Sequence, residues 1–240
     1  MKIILSPSKN QSLICPLLKG SKTLFNEEKS LKLMKILGDL SEVELGELFK
    51  IKDKLLDETY KLYQNKDFEG IRYDPIGCYS GVVFDVIGNR EYSVKERHYI
   101  DKHLVILSAM FGIIEPGQGI WPYRLDFKTK LKDLNLYEYW QDDILEYFKD
   151  EKVIINLASI EFSFLLKPIA DKLVNISFRE ADGRIISYRA KKARGLMADA
   201  IVSGMVEKVE TLKGFVIDDY RFDELMSDDK NYFYIKGGNA

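Results

Sequence analysis

Three short apolar runs, set between long segments of helical periodicity, restrict this chain to few architectures. Residues 3–5, 104–108 and 153–157 are almost free of polar side chains, as is typical of strands that are buried on both faces of a sheet. Apolar residues recur at helical spacing in four segments, residues 27–63, 93–102, 134–148 and 190–206. The pattern predicts a fold in which strands and helices are mixed.

A second local signal concerns the direction of the strands. Two alternating runs within residues 175–188 are joined by Asp182-Gly183, which predicts an antiparallel hairpin. A hairpin argues against a purely parallel, doubly wound sheet. The 240 residues contain no low-complexity linker and no internal repeat. We therefore predict an α+β fold (mixed α/β) with a single domain over residues 1–240.

Capping residues divide the helical segments. Gly38 is expected to end a first helix, and Ser41, with Glu44 three residues later, begins a second. Ser93 and Glu96 repeat this pattern, whereas residues 77–87 read as a loop with a turn or strand. The break at Gly38 weakly resembles a helix-hairpin-helix, whose loop amides bind a phosphate. Acidic residues crowd this break, so an ordinary helical hairpin is the favoured interpretation.

Composition excludes several classes of protein. Lys and Arg number 36 against 38 Asp and Glu, so the net charge of −2 provides no global attraction to nucleic acid, and any polyanion site must be local. No apolar run approaches the ~20 residues of a membrane span, and residues 1–7 are too short for a signal-peptide core. The two cysteines, Cys15 and Cys78, form no CxxC pair. We expect a reduced, cytoplasmic protein.

Charge is nevertheless unevenly distributed. Residues 179–194 contain six bases and two acids, and residues 124–132 contain four bases and one acid. Residues 218–230 are strongly acidic. This distribution suggests a basic groove on an otherwise acidic body.

The segment with the most information is AKKARGLM at residues 190–197, which follows Arg189. Acidic residues normally stabilise the first turn of a helix, but here Lys191, Lys192 and Arg194 lie in or near that turn. Such cations predict an anion site for a phosphate backbone. A solvated basic face, or pairing with the acidic residues 218–230, is an equally good interpretation.

Two further segments combine reactive and basic residues. Trp121 and Tyr123 precede Arg124 and two lysines, as in proteins that bind single-stranded nucleic acid, although aromatic residues are more often core. Ser6 and Lys9 have the S-x-x-K spacing of some acyl hydrolases, but the partner motifs are missing. Lys9 could instead contact a phosphate, or act as an amine nucleophile if it is desolvated.

Metal and cofactor sites have little support in the sequence. His98 and His103 do not share a helical face, and there is no HExxH or CxxC motif. Asp218, Asp219 and Asp223 with Glu224 could collect a hard cation, but a solvated acidic face is the better interpretation. No GxGxxG motif or P-loop is present. We predict neither a cofactor nor a metal site.

Seven segments, in order along the chain, resemble the motifs of one family. They are IILSPSK (3–9), LSAMFGII (107–114), PYRL (122–125), LYEYW (136–140), INLAS (155–159), AKKARGLM (190–197), and GF with Tyr220 and Phe222-Asp223 (214–223). AKKARGLM matches without a departure. On these motifs the chain resembles the YaaA peroxide stress protein family.

The resemblance implies a single domain with the family-specific cantaloupe fold, a positively charged cleft and a helix-hairpin-helix element. It implies binding of duplex, unpaired or branched DNA without sequence preference, and a role in the peroxide response that limits free iron and DNA damage. No enzymatic reaction is established for the family. The bases at matching positions are Lys9, Arg124, Lys191, Lys192 and Arg194.

Four departures from the family motifs predict weaker DNA binding than is typical. Glu115-Pro116-Gly117-Gln118 replaces R-P-L-D and removes a base, Ala109 replaces Gly, Asn10 replaces Thr, and Phe162 replaces Tyr. The sequence therefore predicts a DNA-binding protein of the peroxide response. One alternative is a glycosylase or lyase that uses Lys9 near residues 191–194, and another is iron sequestration by carboxylates.

Overall fold

The computed structural model describes residues 1–12, 22–64 and 72–237, so Cys15 lies outside the described residues. The strands are β1 Lys2–Leu5, β2 Asn10–Gln11, β3 Tyr79–Ser80, β4 Leu104–Ser108, β5 Gly112–Ile114, β6 Ile154–Asn156, β7 Leu173–Arg179, β8 Val216–Ile217, β9 Tyr220–Phe222 and β10 Asn231–Lys236. The helices are α1 Glu27–Gly38, α2 Glu42–Phe49, α3 Asp53–Gln64, α4 Pro75–Cys78, α5 Val82–Ile87, α6 Val94–His103, α7 Leu136–Tyr147, α8 Ile160–Ser163 and α9 Ser187–Ser203, with 3₁₀ segments at Phe164–Lys172 and Val209–Gly214.

One eight-stranded sheet, in the order β5-β4-β1-β6-β7-β10-β9-β8, organises the fold. The five central strands, β4, β1, β6, β7 and β10, run parallel to one another. β5 pairs antiparallel with β4, and β9 pairs antiparallel with β10. Ile3 lies opposite Leu104 on one side and Ile155 on the other. The three apolar runs are therefore the neighbouring strands β4, β1 and β6, and the predicted mixed α/β class is confirmed.

The predicted hairpin at residues 175–188 is wrong. The Gly183 N–H donates to the Glu180 carbonyl at 2.8 Å, so the Asp-Gly turn forms, but no strand follows it. The partners of β7 are instead β6 and β10, both parallel to it, and β10 lies about 50 residues further along the chain. The local signal identified the turn correctly but carried no information on the distant strand that pairs with β7.

Residues 77–87 also differ from the loop and strand expected there. The structure has two short helices, α4 and α5, on either side of the two-residue strand β3. The Asp74 carboxylate caps α4 by accepting from the Gly77 N–H at 3.0 Å, and Pro75 occupies the first helical position. Helices this short leave too little periodicity to be recognised in a sequence.

The long helical segment at residues 27–63 divides as the capping residues predicted, with one additional break. Gly38 ends α1, and Ser41 with Glu44 forms a capping box at the start of α2. The additional break follows α2, where Lys50 adopts a left-handed backbone with φ of 54°. Ser93 and Glu96 form a second capping box at α6, as expected.

The core lies on both faces of the sheet. Ile3, Ile4 and Leu5 are fully inaccessible to solvent, as are Trp140 of α7 and Met197 of α9. α9 also packs extensively against α5. Among the described residues, no helix combines the length and the apolar content that a membrane crossing requires.

Candidate functional site

A cavity of about 600 Å³ opens at the carboxyl ends of β1 and β6. We call it the cleft. Its wall consists of residues 5–10, residues 81–84 at the start of α5, residues 123–126, four residues from the segment after β6, and two side chains of α9. β1 and β6 are neighbours in the sheet. The next main-sheet strand along the chain after β1 is β4, which lies on the side of β1 away from β6, whereas the next strand after β6 is β7, which lies on the side of β6 away from β1. Ligands of open α/β sheets bind at such a change in direction.

Four of the five predicted bases line the cleft. Lys9 and Arg124 come from the segments after β1 and before α7, and Lys191 and Arg194 come from α9. Lys192 lies outside the cleft lining, with its Nζ 3.4 Å from the Asp218 carboxylate. Lys191 and Arg194 are three residues apart and share a face of the helix, whereas Lys192, one residue after Lys191, points in a different direction.

The bases of α9 lie further into the helix than the sequence indicated. α9 begins at Ser187 rather than at residue 190, so Lys191 belongs to its second turn and Arg194 to the start of its third. Arg189 occupies the first turn and pairs with Glu180 at 2.7 Å. The basic wall of the cleft is thus one face of α9, and the helix terminus does not form it.

Arg194 differs from the other partly buried arginines in its surroundings. Arg72 pairs with Glu27 at 2.6 Å, and Arg90 pairs with Glu96 and Asp199 at 2.8 and 2.5 Å. Arg194 forms no ion pair with any described residue, and its buried Nε has no hydrogen-bond partner among them. Burial lowers the pKa of its guanidinium. A cation held out of water without a counter-charge destabilises the fold, which makes an anionic ligand favourable at this position.

Arg179 is the other arginine in the described chain whose buried Nε has no hydrogen-bond partner. Its guanidinium lies 4.5 Å from the ring centroid of Phe233, which stabilises the cation in part. Arg179 does not belong to the cleft lining. Among the described residues of the cleft, a buried guanidinium nitrogen without a hydrogen-bond partner therefore occurs at Arg194 alone.

The cleft lining contains more basic than acidic side chains. Lys9, whose side chain is 64% exposed, pairs with Asp126. Arg124 and Lys191 form no ion pair within the described parts of the chain, and Glu161 is the second carboxylate of the lining. Four cations thus face two carboxylates, and three of the cations have no acidic partner.

The Tyr63 hydroxyl fixes the main chain at Arg124. It donates to the Arg124 carbonyl at 2.6 Å and accepts from the Arg124 N–H at 2.9 Å. Tyr63 is fully buried, and burial raises the pKa of its hydroxyl far above the usual range. The Arg124 guanidinium is therefore attached to a rigid part of the wall.

Hydroxyl groups hold together the two loops that follow β1 and β6. The Ser159 N–H donates to Ser6 Oγ at 2.8 Å, and the two serine hydroxyls lie 3.3 Å apart. The Ser8 hydroxyl donates to the Ser80 carbonyl beside Gly81, whose φ of 133° favours glycine. Ser6 is thus bonded to Ser159 and Lys9 to Asp126, so the structure shows no hydrogen bond between the Ser6 hydroxyl and the Lys9 amine.

A family model described as "Peroxide stress protein YaaA" matches residues 1–226. The chain belongs to the YaaA peroxide stress protein family. It is 34% identical to a UPF0246 protein of Fusobacterium nucleatum, over 98% of this chain and 99% of that protein. It is 36% identical to a UPF0246 protein of Finegoldia magna over 98% of both, and 34% identical to one of Rickettsia felis over 85% and 87%. The family predicted from the motifs is thus confirmed.

The YaaA motifs supply both side chains that line the cleft and buried side chains of the core. In AKKARGLM, Lys191 and Arg194 face the cavity while Ala193 and Met197 are buried. Trp121 and Tyr123 of the neighbouring block are core residues, as the favoured interpretation held, and Lys128 and Lys130 are exposed. Ser159 and Glu161 were missed as cleft residues in the sequence, although both lie just beyond the end of the apolar strand β6, and Ser6 was considered only for its S-x-x-K spacing with Lys9.

The other candidate sites are ordinary structural features in this YaaA-family chain. Ser41 N–H and Glu44 N–H bond to each other's side chains, so the turn after α1 does not offer these amides to a phosphate. His103 Nδ1 donates to the Met1 carbonyl at 2.8 Å, and His98 is exposed. Within residues 1–12, 22–64 and 72–237, no three His, Cys, Asp or Glu side chains are grouped as metal ligands.

Proposed function

We propose that this YaaA-family protein binds the phosphate groups of DNA in the cleft, as part of the response to peroxide. Arg124, Lys191 and Arg194 supply the contacts, and Lys9 lies at the rim. The observation that carries the proposal is that these first three cations have no carboxylate partner among the described residues. Phosphate groups provide the counter-charge that the protein lacks there.

Contacts of this kind predict two properties of the complex. Phosphates are the same in every sequence, so binding is independent of the bases. Each neutralised phosphate releases condensed counterions, so the affinity falls steeply with salt. Glu161 repels the phosphate backbone, and the neutral Lys9–Asp126 ion pair adds no net attraction, so both limit the affinity.

The test is fluorescence anisotropy with labelled duplex and bubbled DNA across a salt series. The variant that combines Arg124→Gln, Lys191→Gln and Arg194→Gln loses three phosphate contacts. The negative slope of log K against log salt is therefore expected to become shallower by about 3 units for duplex DNA. Lys192→Gln is the matched control, because Lys192 lies on the same helix but outside the cleft. If the triple variant binds like the parent at equal salt, the cleft is not the DNA site.

A second candidate is a lyase that forms a covalent intermediate through the Lys9 amine. It is favoured by the position of Lys9, which shares the cleft with Lys191 and Arg194. It is disfavoured by the exposure of Lys9 and its pairing with Asp126, because nothing desolvates the amine. Borohydride trapping on abasic DNA tests this candidate. An adduct that is lost in Lys9→Ala would support it, and the absence of an adduct in the parent would exclude it.

We extend the proposal to the consequence of binding, which is protection of DNA from iron-driven damage. A DNA-binding role predicts that the protein slows strand nicking by ferrous iron and peroxide, and that the triple variant does not. The alternative of iron sequestration predicts protection by both proteins and a tight ferrous site in equilibrium dialysis. Asp218 is already paired with Lys192, which weakens that alternative.

A further inference from the structure

We infer that the cleft takes a phosphomonoester, either the terminal phosphate of a DNA strand or a mononucleotide, with Arg194 binding the phosphate. This inference rests on the proposed function, since it names the part of the DNA that the same cleft recognises. Its basis is the combination of a cavity that ends at the sheet, a partly buried cation without a partner, and apolar side chains beside it.

The first argument is the shape of the cavity. Its lining includes Leu5 and Leu157, which are buried where β1 and β6 end, so the cavity extends down to the carboxyl edge of the sheet. A backbone that continues in both directions must enter and leave a site, whereas a strand end needs one opening. The volume of about 600 Å³ lies within the roughly 300–1,000 Å³ of small-molecule sites.

The second argument is charge. Four cations and two carboxylates line the cleft, which leaves two positive charges. A phosphomonoester carries about two negative charges at neutral pH, since its second pKa is about 6. A phosphodiester within a strand carries one. The dianion therefore compensates the cleft as a whole and supplies the counter-charge that Arg194 lacks.

The third argument is the apolar part of the wall. Pro7, Val82 and Val83, which are partly exposed, line the same cavity as Arg194. Inorganic phosphate gains nothing from these side chains, but a sugar or base attached to the phosphate buries apolar surface against them. A nucleotide, free or at a strand end, therefore fits the cleft better than inorganic phosphate does.

The experiment compares one internally labelled single strand in four forms: with a 5′-phosphate, with a 3′-phosphate, with hydroxyl groups at both ends, and as a closed circle. We expect a phosphorylated end to bind at least about tenfold more tightly than the hydroxyl form or the circle, because hydrogen bonds to charged groups contribute roughly 1.5–3 kcal/mol. Arg194→Gln is expected to abolish this difference, Lys192→Gln to retain it, and Arg194→Lys to restore it in part.

Competition separates the two sources of the phosphate. A deoxynucleoside monophosphate is expected to displace the phosphorylated strand at a lower concentration than the deoxynucleoside or inorganic phosphate. If all four strands bind equally, the inference is wrong while the proposed DNA-binding function stands. If no strand binds but the monophosphate binds and depends on Arg194, the DNA function is wrong and the mononucleotide source is supported. If nothing binds, both are wrong. Melting curves of each variant show whether it is folded.

Discussion

The Arg194 side chain is partly buried, its Nε is inaccessible to water, and no described carboxylate pairs with the guanidinium. Partial desolvation of this guanidinium therefore makes the free energy of folding less favourable. At Arg72 and Arg90 an ion pair compensates for the same effect. Natural proteins retain such groups where binding requires them. For Arg194 the requirements of stability and of ligand binding are thus opposed, and a substitution can separate them.

We predict that Arg194→Met increases the free energy of unfolding by roughly 1 kcal/mol, because it keeps the packing of the side chain and removes the unpaired charge. The same variant is expected to lose affinity for phosphorylated DNA. Chemical denaturation and anisotropy on one preparation measure both quantities. Destabilisation by Arg194→Met would indicate that the guanidinium has a structural partner after all.

At the scale of elements, the contact between α5 and α9 shapes the cleft, because each helix contributes part of its wall. Gly195 permits their close approach. A Cβ at this position would lie 2.8 Å from the Val83 carbonyl oxygen and 3.1 Å from Val83 Cα. These are main-chain atoms that cannot rotate away, so any larger residue must separate the two helices.

We predict that Gly195→Ala destabilises the protein by roughly 1–3 kcal/mol, although alanine alone would favour the helix by about 1 kcal/mol. It is also expected to weaken DNA binding, since Val82, Val83 and Phe84 move with α5. Gly214→Ala is the control, because a Cβ there meets nothing within 4 Å. Thermal melting of the two variants tests the prediction, and equal melting temperatures would contradict it.

At the scale of the whole molecule, the sequence predicted what local patterns encode. The apolar runs identified β4, β1 and β6, and the capping boxes at Ser41 and Ser93 identified helix starts. The partners of β7 were not predictable, because parallel strands are joined by long crossovers that leave no local signal. The cleft bases could be named from the motifs. That Lys192 leaves the cleft depended on which face of α9 packs against α5 and β7, and tertiary packing of this kind has no local signal in the sequence.

Stability of the whole chain is predicted to depend on pH through one buried histidine. Burial lowers the pKa of His103, and the nearby Lys102 and N-terminal ammonium act in the same direction, against the Met1 carbonyl and Glu207. Because the folded pKa lies below the unfolded value of about 6.5, the unfolded state binds more protons as the pH falls. The contribution of His103 to stability is therefore complete above this value and decreases on acidification.

We expect the free energy of unfolding to fall by up to about 1.4 kcal/mol per pH unit below pH 6.5. His103→Gln is expected to be less stable than the parent at neutral pH, because it disturbs the bond to the Met1 carbonyl, but to show a flatter dependence on pH. His98→Gln provides the matched control, since His98 lies on the same helix and is exposed. Denaturation curves between about pH 7.5 and 5.5 decide the matter. A slope that persists in His103→Gln would assign the pH dependence to another group.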